Sequence, residues 1–274
     1  MKNLQMYCIS MEPNHCNFIK QLGYTPVGLG MKKFSSDWMR DDTGENISEK
    51  NKYYGEYTFH YWLWKNYLNN LEDNWVGFCQ YRKFWSLNEK KNNDLNIEKL
   101  NSIVLKNVPK DFEKYEVILG NTLKIEKKTT KFLKKNFKLI LKNPMVLFSE
   151  KKRNINFHFD LMHGEKNLER AINVLDEENK NDFRNFVIDN SEFNPHNMFI
   201  CRSKNILKSY YETIFPWLKK CESIFGFENL TGYDLTRIYG FLAERFLSYW
   251  FKKNYKYKTM PIVFYDIRKD FDKI

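Results

Sequence analysis

Four groups of side chains in this sequence have the types and spacing for polar chemistry. The first is Asp41-Asp42-Thr43-Gly44-Glu45-Asn46-Ile47-Ser48-Glu49-Lys50-Asn51, which crowds acceptors and donors around a turn glycine just ahead of an aromatic helix. Such a loop suits an array of sugar hydroxyls or a nucleotide, and it also reads as an ordinary helix start capped by Ser48 or Asn51. The second is Gln80-Tyr81-Arg82-Lys83-Phe84-Trp85, at the end of an apolar run. Ligands of open α/β sheets bind outside the carboxyl ends of the strands, and a guanidinium fork there matches diphosphate oxygens. A surface Arg-Lys pair is the plainer alternative. The third, Asn194-Pro195-His196-Asn197-Met198-Phe199, sets two amides and an imidazole at the start of a strand. No Gly-x-Ser-x-Gly elbow accompanies it, which argues against a nucleophilic triad. The fourth is Tyr233, Arg237, Tyr239, Glu244 and Arg245 in a helical stretch. Arg237 and Glu244 stand two helical turns apart on one face, as substrate ligands or as part of a salt bridge.

Metal chemistry has weaker support. His158 and His163 flank Asp160, but the spacing is not His-Glu-x-x-His and no third ligand is evident, which disfavours a zinc hydrolase. Asp270-Phe271-Asp272 is the one literal Asp-x-Asp, and it lies too near the end to read as a cation site. No residue is assigned to a metal.

The elements that must position these groups follow from periodicity. Residues 5–11 read as a buried strand, 24–30 as a short extended piece, 37–51 as loop and 54–71 as an aromatic helix, in which Glu56 and His60 share a face. Strands are expected at 75–80, 116–119, 193–201 and 261–265, and helices at 129–142, 164–176, 204–224 and 231–253. Alternating strands and helices predict an α/β fold, a parallel or mixed sheet flanked by helices, with a helical C-terminal third. No repeat or Gly/Ser-rich linker interrupts the 274 residues, so residues 1–274 read as one domain.

Composition narrows the class. Hydrophobic residues make up 42% of the chain and aromatics 17%, which excludes a disordered protein. Five scattered cysteines form no Cys-x-x-Cys pair and read as reduced thiols. No apolar run reaches the roughly 18–20 residues of a bilayer span, and the first ten residues read as a strand, not a signal peptide. A cytoplasmic location is expected. The net charge is +11, and residues 124–153 hold ten lysines and one arginine against two glutamates. So local an excess does not suit a nucleic-acid-binding surface. It belongs to an amphipathic helix at 129–142, which either packs on the core or lies on an anionic membrane at the inner face of the cytoplasmic membrane.

Taken in order, the blocks resemble a known family: bacterial capsular and exopolysaccharide glycosyltransferases catalogued as a domain of unknown function (DUF4422). The resemblance rests on Pro26-Val27-Gly28, Asp42 to Asn51, Tyr54, Glu56, Thr58, Tyr61-Trp62, Trp64-Lys65-Asn66, Gly77 with Tyr81-Arg82-Lys83-Phe84, Asn194 to Phe199, and Arg237 with Gly240-Phe241 and Glu244-Arg245. It is strongest over 4–85 and 190–250, and weak over the lysine-rich segment of about 86–160. Glu45 stands where the family usually has Asp, and Gln80 where His is common.

The resemblance implies a GT-A-like, nucleotide-sugar-binding mixed sheet. It also implies transfer of a sugar, a UDP-sugar being the favoured donor, to a capsular, exopolysaccharide or lipopolysaccharide-type acceptor, free or lipid-linked. Donor contacts carried over are Asp42, Asn46, Lys50, Asn51, Tyr81, Arg82, Asn194, Asn197, Arg237 and Arg245. Asp160, His163, His196 and Glu244 are the candidates to deprotonate the acceptor hydroxyl. Tyr81-Arg82 stands where related metal-dependent enzymes carry aspartates, so Arg82 and Lys83, joined by Arg237 or Arg245, are expected to neutralise the diphosphate, with a Mn or Mg ion as the remaining option. A non-catalytic carbohydrate-binding or assembly protein of a polysaccharide complex is the alternative from another class.

Overall fold

The computed structural model describes residues 3–87, 95–125, 141, 144, 149 and 152–268. The helix expected at 129–142 lies, but for Leu141, outside the described residues, as does Asp270-Phe271-Asp272. The strands are β1 (Leu4–Ser10), β2 (Thr25–Gly28), β3 (Met39–Arg40), β4 (Trp75–Gln80), β5 (Lys83–Trp85), β6 (Val117–Gly120), β7 (Leu123–Lys124), β8 (Glu192–Phe193), β9 (Phe199–Cys201), β10 (Tyr257–Met260) and β11 (Ile262–Phe264). The main sheet runs β10-β6-β9-β4-β1-β2-β3, with β5 beside β4 and β11 beside β5. Along that path β9 alone opposes its neighbours, pairing antiparallel with both β4 and β6. The sheet is therefore mixed and mostly parallel.

Side chains alternate across it, as a sheet covered on both faces requires. Tyr7, Ile9, Val76, Phe78, Val117, Leu119, Phe199 and Cys201 feed the core under the C-terminal helices. Met6, Cys8, Trp75, Cys79, Ile118, Met198 and Ile200 feed the core on the other face.

The helices are α1 (Cys16–Gln21), α2 (Asn51–Tyr54), α3 (Tyr57–Trp62), α4 (Ile97–Ile103), α5 (Ile155–His163), α6 (Asn167–Asn173), α7 (Glu177–Asp189), α8 (Lys204–Phe225), α9 (Gly232–Thr236) and α10 (Ile238–Asn254). In α8 the buried Ile206, Leu207, Tyr210, Tyr211, Ile214, Leu218 and Cys221 recur at three- and four-residue spacing, one stripe facing the sheet. Several expectations change in detail. The single helix foreseen at 54–71 breaks at Gly55, whose φ of +60° an L side chain adopts only under strain. The helix foreseen at 164–176 is present as the shorter α6, which follows Gly164 (φ +96°) and is flanked by α5 before it and by α7, capped by the Asp176 carboxylate, after it. The strand foreseen at 193–201 divides into β8 and β9 around His196 and Asn197. Both have positive φ (81° and 53°), which no continuous strand accommodates.

The placement of α3 on the sheet explains where the polar residues end up. Four helical residues rise about 6 Å and two strand residues just under about 7 Å. His60 accordingly packs on Phe78 and Phe199, with ring centroids 4.3 and 5.4 Å away. Glu56, one turn earlier, reaches Gln80, two residues further along β4, and Asn197, two residues ahead of β9. The shared face expected for this pair is present, with its apolar end in the core and its polar end at the sheet's edge.

His60 is fully buried and its Nδ1 lies 2.8 Å from the Tyr211 hydroxyl. Burial pushes its pKa down to about 3, and that of buried His15 down to about 4. Both rings stay neutral in the fold and take up a proton only on unfolding, so their stabilising contribution is present above about pH 6.5 and lost as pH falls. Asp160, raised to about 6 by burial, titrates in the opposite sense. The urea midpoint should drop between pH 6.5 and 5, with His60 alone contributing about 2 kcal/mol. A midpoint that is flat or rises over that interval would contradict this assignment.

Candidate active site

A cleft opens at the carboxyl ends of β1 and β4, where Ile9, Ser10 and Gln80 form part of its lining. The start of β9 meets the same edge because β9 runs antiparallel to β4. Three of the four polar groups converge there, and the loop of 41–51 contributes its last residue, Asn51. Of the sequence candidates, Asn51, Tyr81, Arg82, His196, Asn197, Arg237 and Glu244 line the cleft.

Its centre is a carboxylate that was not among those candidates. Glu56 Oε1 accepts from Asn197 Nδ2 at 2.9 Å and from Gln80 Nε2 at 3.3 Å, and Oε2 pairs with Arg237 Nη2 at 3.3 Å. The side chain is 13% exposed, so these charge-assisted bonds are partly shielded from water. Gln80 then donates to the His196 carbonyl at 3.1 Å and its own Oε1 accepts from Lys83 Nζ at 3.2 Å. Burial lowers the pKa of Lys83, while Glu56 and Glu244 oppose the shift. Lys83 is a half-buried cation facing two carboxylates.

A second carboxylate fixes the turn ahead of β9. Glu244 Oε1 accepts the His196 N–H at 2.6 Å, and its other oxygen pairs with Arg245. Arg245 is 2% exposed and its guanidinium carbon lies 4.0 Å over the Phe193 ring. It therefore holds Glu244 from behind and does not line the cleft. Two successive left-handed non-glycine residues cost on the order of 1–3 kcal/mol each. The bonds to His196 N–H, to its carbonyl and from Asn197 Nδ2 to the Gly240 carbonyl (3.1 Å) over-determine that conformation. Burial, with Lys83 adding to it, pushes the His196 pKa down to about 3, leaving a neutral ring and a weak base.

Arg82 is exposed at the rim, its guanidinium carbon 5.0 Å from the Tyr81 ring centroid, and its carbonyl accepts the Tyr265 N–H. Tyr81 packs on His15 at 5.3 Å. No acidic partner within ion-pair distance of Arg82 occurs among the described residues, so its charge is available to an anion.

The remaining candidates lie elsewhere. Asp42 pairs with Arg40, and Asn46 Oδ1 accepts from Ser48. Lys50 pairs with Glu222 at 2.8 Å on the far side of α2. Asn194 is buried, bonded to Ser248 and to the Gly120 carbonyl. Asp160 accepts the Lys166 N–H at 2.9 Å on α5. His163 stacks on Phe241 (3.9 Å, 22°), behind the cleft wall. Glu56 carried a legible signal: it stands between Tyr54 and Thr58 among the residues that carry the resemblance, one helical turn from His60.

Among the described residues no group of three His, Cys, Asp or Glu side chains is arranged to hold a metal ion. The cleft's two carboxylates, Glu56 and Glu244, each already meet an arginine. This donor set does not fit a divalent cation; it fits an anion met by Arg82, Lys83 and Arg237.

The family model described as "Domain of unknown function (DUF4422)" matches residues 8–255. No curated protein matches the chain. Among solved structures it is similar to the apo structure of WbbM, described as a bifunctional glycosyltransferase, with a TM-score of 0.70 and 21% identity. The match covers 96% of this chain and 45% of that one, so this chain spans about half its length. At that identity the likeness establishes a shared fold.

Gly55 tests the Glu56–Arg237 pair. A Cβ there would stand 2.1 Å from Arg237 Nη2, and the φ of +60° disfavours any L side chain. Gly55→Ala should cost about 1–2 kcal/mol and displace Arg237 from Glu56. A crystal structure of that variant with the ion pair intact and unchanged stability would refute this account.

Proposed function

The chain belongs to the family described as "Domain of unknown function (DUF4422)", and on that premise we propose that it is a glycosyltransferase using a nucleotide-sugar donor. The observation that carries the reading is the cleft itself: three cations, Arg82, Lys83 and Arg237, around two held carboxylates at the carboxyl ends of parallel strands. The fold shared with WbbM supports it. A UDP-sugar of hexosyl type is the favoured donor. The acceptor is a glycan or lipid-linked glycan of capsular, exopolysaccharide or lipopolysaccharide type, with residues 1–274 acting as one domain. The reaction takes place in the cytoplasm or on the inner face of the cytoplasmic membrane. No helix among the described residues is long and apolar enough to cross a membrane.

In the reaction, the bond between the anomeric carbon and the diphosphate oxygen breaks, and a bond to the acceptor oxygen forms. Negative charge grows on the departing diphosphate. Arg82, Lys83 and Arg237 stabilise it as it develops, which lowers the barrier more than the ground state. Lys83 and Arg237 are held in place before substrate arrives, by Gln80 and Glu56, so those two need little reorganisation. The acceptor hydroxyl loses its proton to a carboxylate, Glu244 or Glu56. His196 is a poorer choice, since burial holds its pKa at about 3. Asp160 and His163 take no part, because α5 holds them away from the cleft lining. This route makes no use of a divalent cation.

Thermal shift against UDP, GDP, CMP and their sugar conjugates, each with Mn²⁺ or EDTA, tests the donor and the cation together. A ligand that binds only the folded state raises its apparent stability. One nucleotide should give a shift that survives EDTA. A shift abolished by EDTA overturns the metal-free route, and no shift at all favours the non-catalytic carbohydrate-binding alternative. Arg82→Ala should leave stability within about 0.5 kcal/mol and lower transfer by roughly a hundredfold or more. Normal transfer in that variant would remove Arg82 from the mechanism.

A further inference from the structure

We propose that Tyr233 and Phe264 form a subsite at the cleft mouth for the pyranose ring of the acceptor, a proposal that rests on the glycosyltransferase reading above. Among the described residues, the aromatic side chains that stand largely exposed are Tyr233 (65%), Phe264 (61%) and Tyr257 (39%). One of these three lines the cleft and a second packs on its lining. Tyr233 lines it from α9, and Phe264, at the end of β11, packs on the lining residue His196. An exposed aromatic ring leaves a large apolar area in water, and clustering of such area beside a polar cleft marks a binding surface.

Both rings are braced from beneath. Tyr233 stands at 71° to Phe241 with centroids 5.9 Å apart, and the Arg237 guanidinium carbon lies 5.7 Å from its centroid. Phe264 stands at 82° to the His196 ring, centroids 5.2 Å apart. Phe241, Arg237 and His196 all line the cleft, so each exposed ring is registered to the catalytic groups. Gly232 adds a second observation. A Cβ there would meet nothing within 4 Å, yet its φ is +74°. Glycine is needed at this position for backbone conformation and not for space, and that conformation starts α9 and sets Tyr233 over the cleft.

The chemistry selects a sugar. A pyranose has apolar C–H faces that pack on aromatic rings and a hydroxyl rim that needs hydrogen bonds. The mouth supplies the rings, while the Glu56 and Glu244 carboxylates below supply acceptors and Lys83 and Arg237 supply donors. A neutral ring gains less from cations than a diphosphate does, so it occupies the mouth while the diphosphate takes the three cations.

Saturation-transfer NMR with methyl β-glucopyranoside, methyl β-galactopyranoside and methyl β-N-acetylglucosaminide tests this in the full chain. The titration is run with and without the nucleotide that gives the largest thermal shift. At least one pyranoside should receive saturation through its C–H protons. Tyr233→Ala and Phe264→Ala should each weaken that binding roughly five- to tenfold. Tyr233→Phe should retain it, and Tyr257→Ala, on a strand outside the cleft, should leave it unchanged. No transfer to any of the three sugars, or equal binding in Tyr233→Ala and Phe264→Ala, overturns the subsite. If those two variants weaken the nucleotide thermal shift instead, the rings stack a base and the proposal falls. Loss of every nucleotide shift in the wild-type protein with pyranoside binding still dependent on Tyr233 would refute the donor reading and keep the subsite.

Discussion

The carboxylate of Glu56 is the tie on which the cleft depends. It joins α3 to the end of β4 through Gln80, to the start of β9 through Asn197 and to the helical third through Arg237. Those partners come from three regions of the chain. A partly buried charge that loses its partners costs more than the sum of ordinary hydrogen bonds. The tie therefore sets the relative position of sheet and helices at their shared edge more firmly than apolar packing would, since apolar contacts tolerate sliding.

Glu244 does the complementary work one layer away. It accepts the His196 N–H and is itself backed by the buried Arg245, which lies against Phe193. The left-handed pair His196 and Asn197 is thus strain held between two carboxylates, Glu244 on the backbone and Glu56 on the Asn197 amide. Strained turns persist where surrounding bonds over-determine them, and they cluster at functional sites. The outcome is electrostatic. Two negative groups hold the scaffold while still lining the cleft, and Lys83 and Arg82 line it beside them. Low hydration of Lys83 makes its interaction with an incoming anion stronger than that of a surface lysine.

Much of the fold was legible in the sequence because local rules produced it. The alternation in Tyr7, Cys8, Ile9 and in Val76, Gly77, Phe78 gave strands buried on both faces, and the stripe in 204–224 gave the long helix. Boundaries were misread where a single residue's backbone conformation decided them. Gly55 ends a helix by adopting positive φ, and His196 and Asn197, residue types that enter the left-handed region more readily than most, divide a strand. The helices α5 and α7 were not foreseen; Asn154 and Asp176 cap them, each accepting the N–H three residues on.

The sequence by itself determined the class of fold, the family and the four polar groups, because periodicity, capping and motif order are properties of neighbouring residues. Which members of those groups meet was decided by tertiary structure. Asp42, Asn46, Lys50 and Asn194 found structural partners, and Asp160 and His163 were carried behind the wall. Glu56 became central through partners 141 and 181 residues away. Nothing in local spacing encodes a contact of that range; it arises when α3 seats on β4 and β9 with a four-residue helical step matching a two-residue strand step.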